Sequence, residues 1–201
     1  MLFVNRFAIN RRQKTMSFIQ NMRMWGYRRS LKQQLRKRPE PKGKGEVNLN
    51  NAKTIGILFD ATELSVRDTI LHYVEDLRKR GKRSIKLLGY FDDPTDSENY
   101  SFDYYNRKQV DWAFRPQGEP VQNFIRQDFD LLMNINTVSL IHTEYIAALS
   151  HAKLRVGPFT EHTYSYDLMI DLSPQSGLRQ FIEQVETLLG KTNTKHEAAP
   201  V

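Results

Sequence analysis

Carboxylates and amides recur at the ends of the apolar runs that read as strands. Asp60 follows Thr54–Phe59, Asp92 and Asp93 follow Ser84–Phe91, Asn134 and Asn136 fall at the end of Phe129–Ile135, and Asp171 falls near the end of Tyr166–Leu172. Thr62, Glu63 and Glu144 stand close to these positions in sequence. Ligands of open parallel sheets sit beyond the carboxyl ends of the strands. Strands that converge would therefore bring several carboxylates to one crevice. Such a group holds a divalent cation through oxygen ligands, or raises one carboxyl's pKa for acid–base work. The competing and stronger expectation is that Asp and Asn cap helices and close turns here. No fixed metal-ligand spacing accompanies them, so no metal or cofactor is assigned. His162, followed by Thr-Tyr-Ser-Tyr in a loop, is a candidate general base.

Several signatures of known chemistry are missing. No glycine follows the first strand, where Asp60-Ala61-Thr62-Glu63-Leu64 stands in place of G-x-G-x-x-G. Gly43-Lys44-Gly45 precedes that strand and cannot be a phosphate loop. Asp60-x-Thr62 is half of an aspartyl phosphotransferase pattern, without its second Asp. There is no G-x-S-x-G elbow, and the histidines lack H-x-x-x-H spacing. His142 and His151 are expected at the surface or at helix ends. With no Cys, thiolate nucleophiles, thiolate metal sites and disulfides are excluded, in keeping with a reducing, cytoplasmic compartment. No apolar run approaches the ~18 residues a spanning helix needs, and Asn5 and Arg6 interrupt any secretory signal.

Charge is divided unevenly. Residues 1–44 hold 13 of the 30 Lys+Arg and one acid, Glu40, a net +12; the remainder is a net −5. A basic arm on a mildly acidic body points to an anionic partner. The candidate contacts are Arg23, Arg28, Arg29, Lys32, Arg36, Lys37, Arg38 and Trp25. Three readings of the arm carry equal weight. It neutralises phosphates of RNA, DNA or a ribonucleoprotein, lies on an anionic membrane surface, or docks weakly on the acidic body. On a helical wheel Phe18, Met22 and Trp25 share one face, while Met24, Tyr27, Leu31 and Leu35 share a nearly opposite one. The change at Trp25-Gly26 predicts two short helices, or one kinked there. Residues 39–45 read as a Pro/Gly linker. Met16 is a second possible start, so nothing is argued from residues 1–15.

These features need a frame, and the body alternates strands with helices. Its strands are expected at Thr54–Phe59, Ser84–Phe91, Phe129–Ile135, Leu154–Val156 and Tyr166–Leu172, with an edge strand at Val110–Phe114. A helix capped by Ser65 and closed by Gly81 follows the first strand. A helical turn is expected after Pro120, and further helices over Ser139–Ala152 and from Leu178. Tyr100, Phe102, Tyr104, Tyr105 and Trp112 form either a stacking platform or, by preference, a hairpin packing its own aromatics on the sheet edge. The architecture is α/β: one Rossmann-like three-layer domain with a mostly parallel sheet over 46–190, a basic helical arm over 1–45, and a disordered tail over 191–201.

The segments Ile55–Thr62, Phe129–Asn136, Tyr145–Gly157 and Tyr166–Asp171 together resemble a family of uncharacterised bacterial α/β proteins. That resemblance implies the fold and a bacterial source, and supplies no catalytic residues. Residues 129–157 alone are similar to the N-terminal domain of heptosyltransferase-type glycosyltransferases, without their Gly-rich first loop or donor domain. The leading expectation is a non-enzymatic binding protein whose arm engages an anionic surface, cytoplasmic or peripheral at the membrane. The alternative is a small enzyme or ligand-binding domain, possibly glycosyltransferase-related, using the crevice. Oligomeric state stays open.

Overall fold

The computed structural model describes residues 4–38, 47–81, 83–93, 99–162, 164–171 and 176–191, with side chains of the first helix from Phe18 onward. The linker expected at 39–45 lies outside the described residues, as does the tail expected at 191–201 except for Lys191, which ends a helix instead. A long helix α1 (Val4–Leu35) precedes β1 (Thr54–Asp60), α2 (Leu64–Lys79), β2 (Ser84–Phe91) and β3 (Asp103–Asn106). A short 3-10 turn (Arg107–Gln109) leads to α3 (Glu119–Arg126), then β4 (Leu131–Asn134), α4 (Ile141–Leu149), β5 (Leu154–Pro158), β6 (Leu168–Ile170) and α5 (Leu178–Lys191). All six strands are parallel, in the order β3-β2-β1-β4-β5-β6. The order reverses between β1 and β4, the point beyond the strands' carboxyl ends where open parallel sheets take their ligands.

Burial on both faces explains why the central strands are continuously apolar rather than alternating. In β1, Ile55, Ile57 and Phe59 face one side with Ile70, Tyr73, Val74 and Leu77 of α2 and Phe181, Val185 and Leu189 of α5. Leu58 of β1, Leu88 and Tyr90 of β2, and Leu132 of β4 face the other side. That second layer holds α3, α4 and, in addition, Tyr27 and Leu31 of α1.

The end of α1 is therefore a structural member of the domain. Tyr27 is fully buried and Leu31 is 2 % exposed. The Tyr27 and Tyr145 rings lie 5.7 Å apart. Gln34 Nε2 donates to Tyr145 Oη (2.6 Å), and Arg38 donates to the Ala148 carbonyl (2.9 Å). The weak docking expected from charge alone is replaced by apolar packing. The two separate short helices are also absent, because α1 runs unbroken through Gly26. That glycine has another use. A Cβ there would come within 2.9 Å of the tip of Trp112, so its absence lets the indole lie on the helix.

Other local expectations need correction. The edge strand is β3, inside the Tyr-rich segment, whereas Val110 makes only an isolated antiparallel bridge to Pro116. Hydrogen bonding to β2 buries Tyr105 and Asn106 and draws the aromatics inward, with Phe91 stacked on Tyr100 (4.8 Å) and edge-on to Tyr104 (5.5 Å). Helix α2 starts at Leu64 after Glu63, with no side-chain cap, so Ser65 lies inside it. Arg80, not Gly81, occupies its C-terminal cap. Away from the crevice, Asp130 ties the starts of β1 and β5 together. It accepts from the Lys53 and Thr54 amides (2.9 and 3.0 Å), from Thr54 Oγ1 (3.0 Å) and from Lys153 Nζ (2.8 Å). Burial pushes its pKa up, but these donors outweigh it and hold the carboxyl at about 2.

Candidate functional site

The β1–α2 turn lies at the reversal point. Asp60 Oδ1 accepts from both the Thr62 amide (2.9 Å) and the Thr62 hydroxyl (2.6 Å), and Thr62 Oγ1 accepts from the Asp92 amide (3.0 Å). The structure thus brings Asp60, Thr62 and Asp92 together. Arg67, from the first turns of α2, donates to the carbonyls of Ala61 (2.5 Å) and Thr62 (3.0 Å). Where a nucleotide fold points backbone N–H groups at a phosphate, this turn presents carbonyls to its own arginine.

Asn134 and Asn136 form the opposite wall. Asn136 Oδ1 accepts from the Asp60 amide (2.7 Å), and its Nδ2 donates to Asn134 Oδ1 (2.5 Å). Asn134 Nδ2 donates to Tyr166 Oη (2.5 Å) and Thr143 Oγ1 (3.1 Å). These amides fasten β1, β4, α4 and the entry to β6 to one another. Gly157 makes room for this bonding, since a Cβ there would run into the Tyr166 ring. Asp93 is exposed at the turn after β2, and Asp171 is exposed beyond β6, at the far edge of the sheet. The carboxylates expected in one crevice are therefore divided. Among the described residues no three His, Cys, Asp or Glu side chains come together to hold a metal ion.

Glu144 and His162 make a second constellation. The Glu144 side chain is 4 % exposed, and its Oε2 lies 2.8 Å from His162 Nδ1. Ser139 Oγ donates to its other oxygen. Both side-chain oxygens are thus hydrogen-bonded, as a buried polar group requires. The His162 ring stacks on Tyr164, centroids 5.3 Å apart, with Nδ1 engaged and Nε2 left as the ring's remaining proton-carrying position.

His142 stands at a helix end, one of its two expected places, in the first turn of α4; what sequence reasoning missed is its environment, part-buried with Nδ1 sharing a 2.7 Å hydrogen bond with Tyr105 and its ring 4.1 Å from that of Tyr90. Burial lowers its pKa to about 4, against the opposing pull of Asp60 and Asp92. Tyr90 in turn donates to Asp92 Oδ1 (3.0 Å). The Tyr-rich segment held the only hint, because a strand there turns one tyrosine toward the layer containing α4.

The basic candidates separate by face. Arg23 Nε donates to the Trp112 carbonyl (2.6 Å) and its guanidinium lies 3.8 Å over Phe114, while Arg38 is held against α4; both face the body. Arg28, Arg29, Lys32, Arg36 and Lys37 are exposed, and none forms an ion pair with a described carboxylate. Arg28, Lys32 and Arg36 line a depression of about 490 Å³ with Leu31, Leu35 and Tyr164. Trp25 is 63 % exposed, with the Arg29 guanidinium 5.6 Å from its ring. No described helix is long and apolar enough to cross a membrane.

The class is a three-layer α/β protein with Rossmann strand order and a helix-docked N-terminal segment. The chain belongs to a family of unknown function, DUF6913, which it matches over residues 27–191. The matched segment begins at Tyr27, the first fully buried side chain described in α1. No curated protein matches the chain.

Proposed function

We propose that this is a binding protein, acting without catalysis, whose exposed side of α1 engages an anionic surface. The observation that carries this reading is the row of cations that pair with no described carboxylate, Arg28, Arg29 and Lys32 on α1 and Arg36 in the turn after it, opposite a side that is locked into the core. A docked helix holds its charges in fixed positions, so less side-chain and backbone freedom is lost when an anion binds. The test compares full-length protein with a variant carrying Arg28→Gln, Arg29→Gln, Lys32→Gln and Arg36→Gln. Binding to RNA and to vesicles containing phosphatidylserine is measured across a salt series. The variant is expected to lose most binding and most of its salt dependence. Equal binding by the two proteins rejects the reading.

A second reading, a small-ligand or enzymatic site, is favoured by the Glu144–His162 pair. A carboxylate on Nδ1 is what orients an imidazole whose Nε2 takes a proton. Thermal-shift screening of a metabolite collection tests it. Hits should be lost in His162→Gln or Asp60→Asn while the unliganded melting temperature is kept, and retention of every hit in both variants sinks this reading.

A further inference from the structure

Phe18, Met22, Trp25, Arg29 and Lys32 follow one another at spacings of four and three, so all five fall within about 80° on α1, and Arg36, four residues on in the turn after its end, continues the line. Phe18, Met22 and Trp25 are 63 %, 49 % and 63 % exposed, and the three cations continue the same line. Trp112, 56 % exposed, borders this line where it lies over Gly26. One stripe about 27 Å long therefore presents aromatics at one end and cations at the other.

This distribution discriminates between anionic partners. A helix lying in a membrane interface keeps its Lys and Arg on the face away from the apolar one. Here the cations share the azimuth of Trp25, and the opposite face is occupied by Tyr27 and Leu31 docking on α4. Pressing the stripe into acyl chains would carry Arg29, Lys32 and Arg36 in with it. A double helix offers phosphates but hides the faces of its bases, leaving Phe18 and Trp25 without partners. A single strand offers both: phosphates for the cations and unstacked bases for exposed rings. We infer that the stripe Phe18–Arg36 is a binding track for single-stranded nucleic acid, with Trp25, and Phe18 beyond it, stacking on bases and Arg29, Lys32 and Arg36 meeting successive phosphates. The inference rests on the reading that the free side of α1 engages an anionic surface, and it names that surface.

The experiment uses the full chain and three probes: a labelled single-stranded oligouridine of about 12 nucleotides, a duplex RNA of the same length, and vesicles of phosphatidylcholine with phosphatidylserine. Trp25→Ala, Phe18→Ala and the triple variant Arg29→Gln/Lys32→Gln/Arg36→Gln are compared with the parent. Far-ultraviolet spectra and melting temperature confirm that each exposed substitution leaves the fold intact. The parent should prefer the single strand. Trp25→Ala should weaken it roughly ten-fold, and the triple variant should reduce the slope of log affinity against log salt by about 2. Single-strand binding that needs the cations but is indifferent to both aromatic variants overturns the track and leaves phosphate binding standing. Binding to vesicles or duplex in preference to the single strand does the same. Binding to none of the three probes overturns this inference and the reading beneath it together.

Discussion

Leu31→Ala is the sharpest test of where the domain begins. Leu31 is 2 % exposed and packs in the layer that contains Tyr145, Ala148 and Leu149 of α4. Truncating a buried leucine removes its transfer free energy and leaves a cavity, together about 2–5 kcal/mol. In a chain of this size each kcal/mol moves the melting temperature by roughly 2–4 °C, so a cost near 3 kcal/mol lowers it by about 6–12 °C. Lys32→Ala, one residue along and exposed, should stay within about 0.5 kcal/mol. Tyr27→Phe separates packing from polarity. The Tyr27 hydroxyl lies 3.5 Å from the Ile141 carbonyl and shares a side-chain hydrogen bond with Tyr164, so that substitution should cost about 1 kcal/mol, well below the cost of Leu31→Ala. Urea denaturation followed by near-ultraviolet circular dichroism provides the comparison. An arm merely tethered to the body would make Leu31→Ala and Lys32→Ala equally harmless, and that result refutes the assignment of α1 to the core.

Three further outcomes are expected. The pKa of Asp130 is depressed to about 2 in the folded chain, so its contribution is complete above the unfolded value near 3.9 and is lost as pH falls through 2; Asp130→Asn should destabilise by about 2 kcal/mol at neutral pH, and acid titrations of the two proteins should converge below pH 2. His142, depressed to about 4, resists protonation when folded, so stability falls as pH drops from about 6.5 toward 4. His142→Gln should flatten that part of the profile, and an NMR titration of the ring above pH 6 would contradict the described environment. Gly157→Ala drives a methyl into the Tyr166 ring and should cost about 1–3 kcal/mol by chemical denaturation, with loss of the Asn134–Tyr166 bond.

Much of the frame was legible because apolar runs and helical stripes are local signals. Thr54–Phe59 and Ser84–Phe91 read directly as buried strands, and both stand in the sheet. Asp103–Asn106 did not, because its polar and aromatic residues show neither alternation nor a continuous apolar run; pairing with β2 makes it a strand. The two faces of α1 were also legible, as two apolar sets about opposite each other. Their unequal fates were not, since only the presence of Tyr145 and Ile146 across the interface decides which set is buried. The strand-end carboxylates illustrate the same limit. Their places along the chain were evident, but the order β3-β2-β1-β4-β5-β6 is what joins Asp60 to Asp92 and leaves Asp171 at the edge.

The docking of α1 also has a consequence for synthesis. Ser30 meets Tyr145 across 115 residues, so α1 is synthesised well before α4, its partner. At about 5–20 residues per second the ribosome takes roughly 6–23 s to cover that distance. For that interval Tyr27 and Leu31 lack the α4 residues that share their layer, on the same helix that carries Phe18, Met22 and Trp25. The nascent chain then has apolar residues exposed on both sides of α1 at once, and closing so long a loop is slow even when α4 arrives. The layer that holds Tyr27 and Leu31 is thus completed only when α4 arrives.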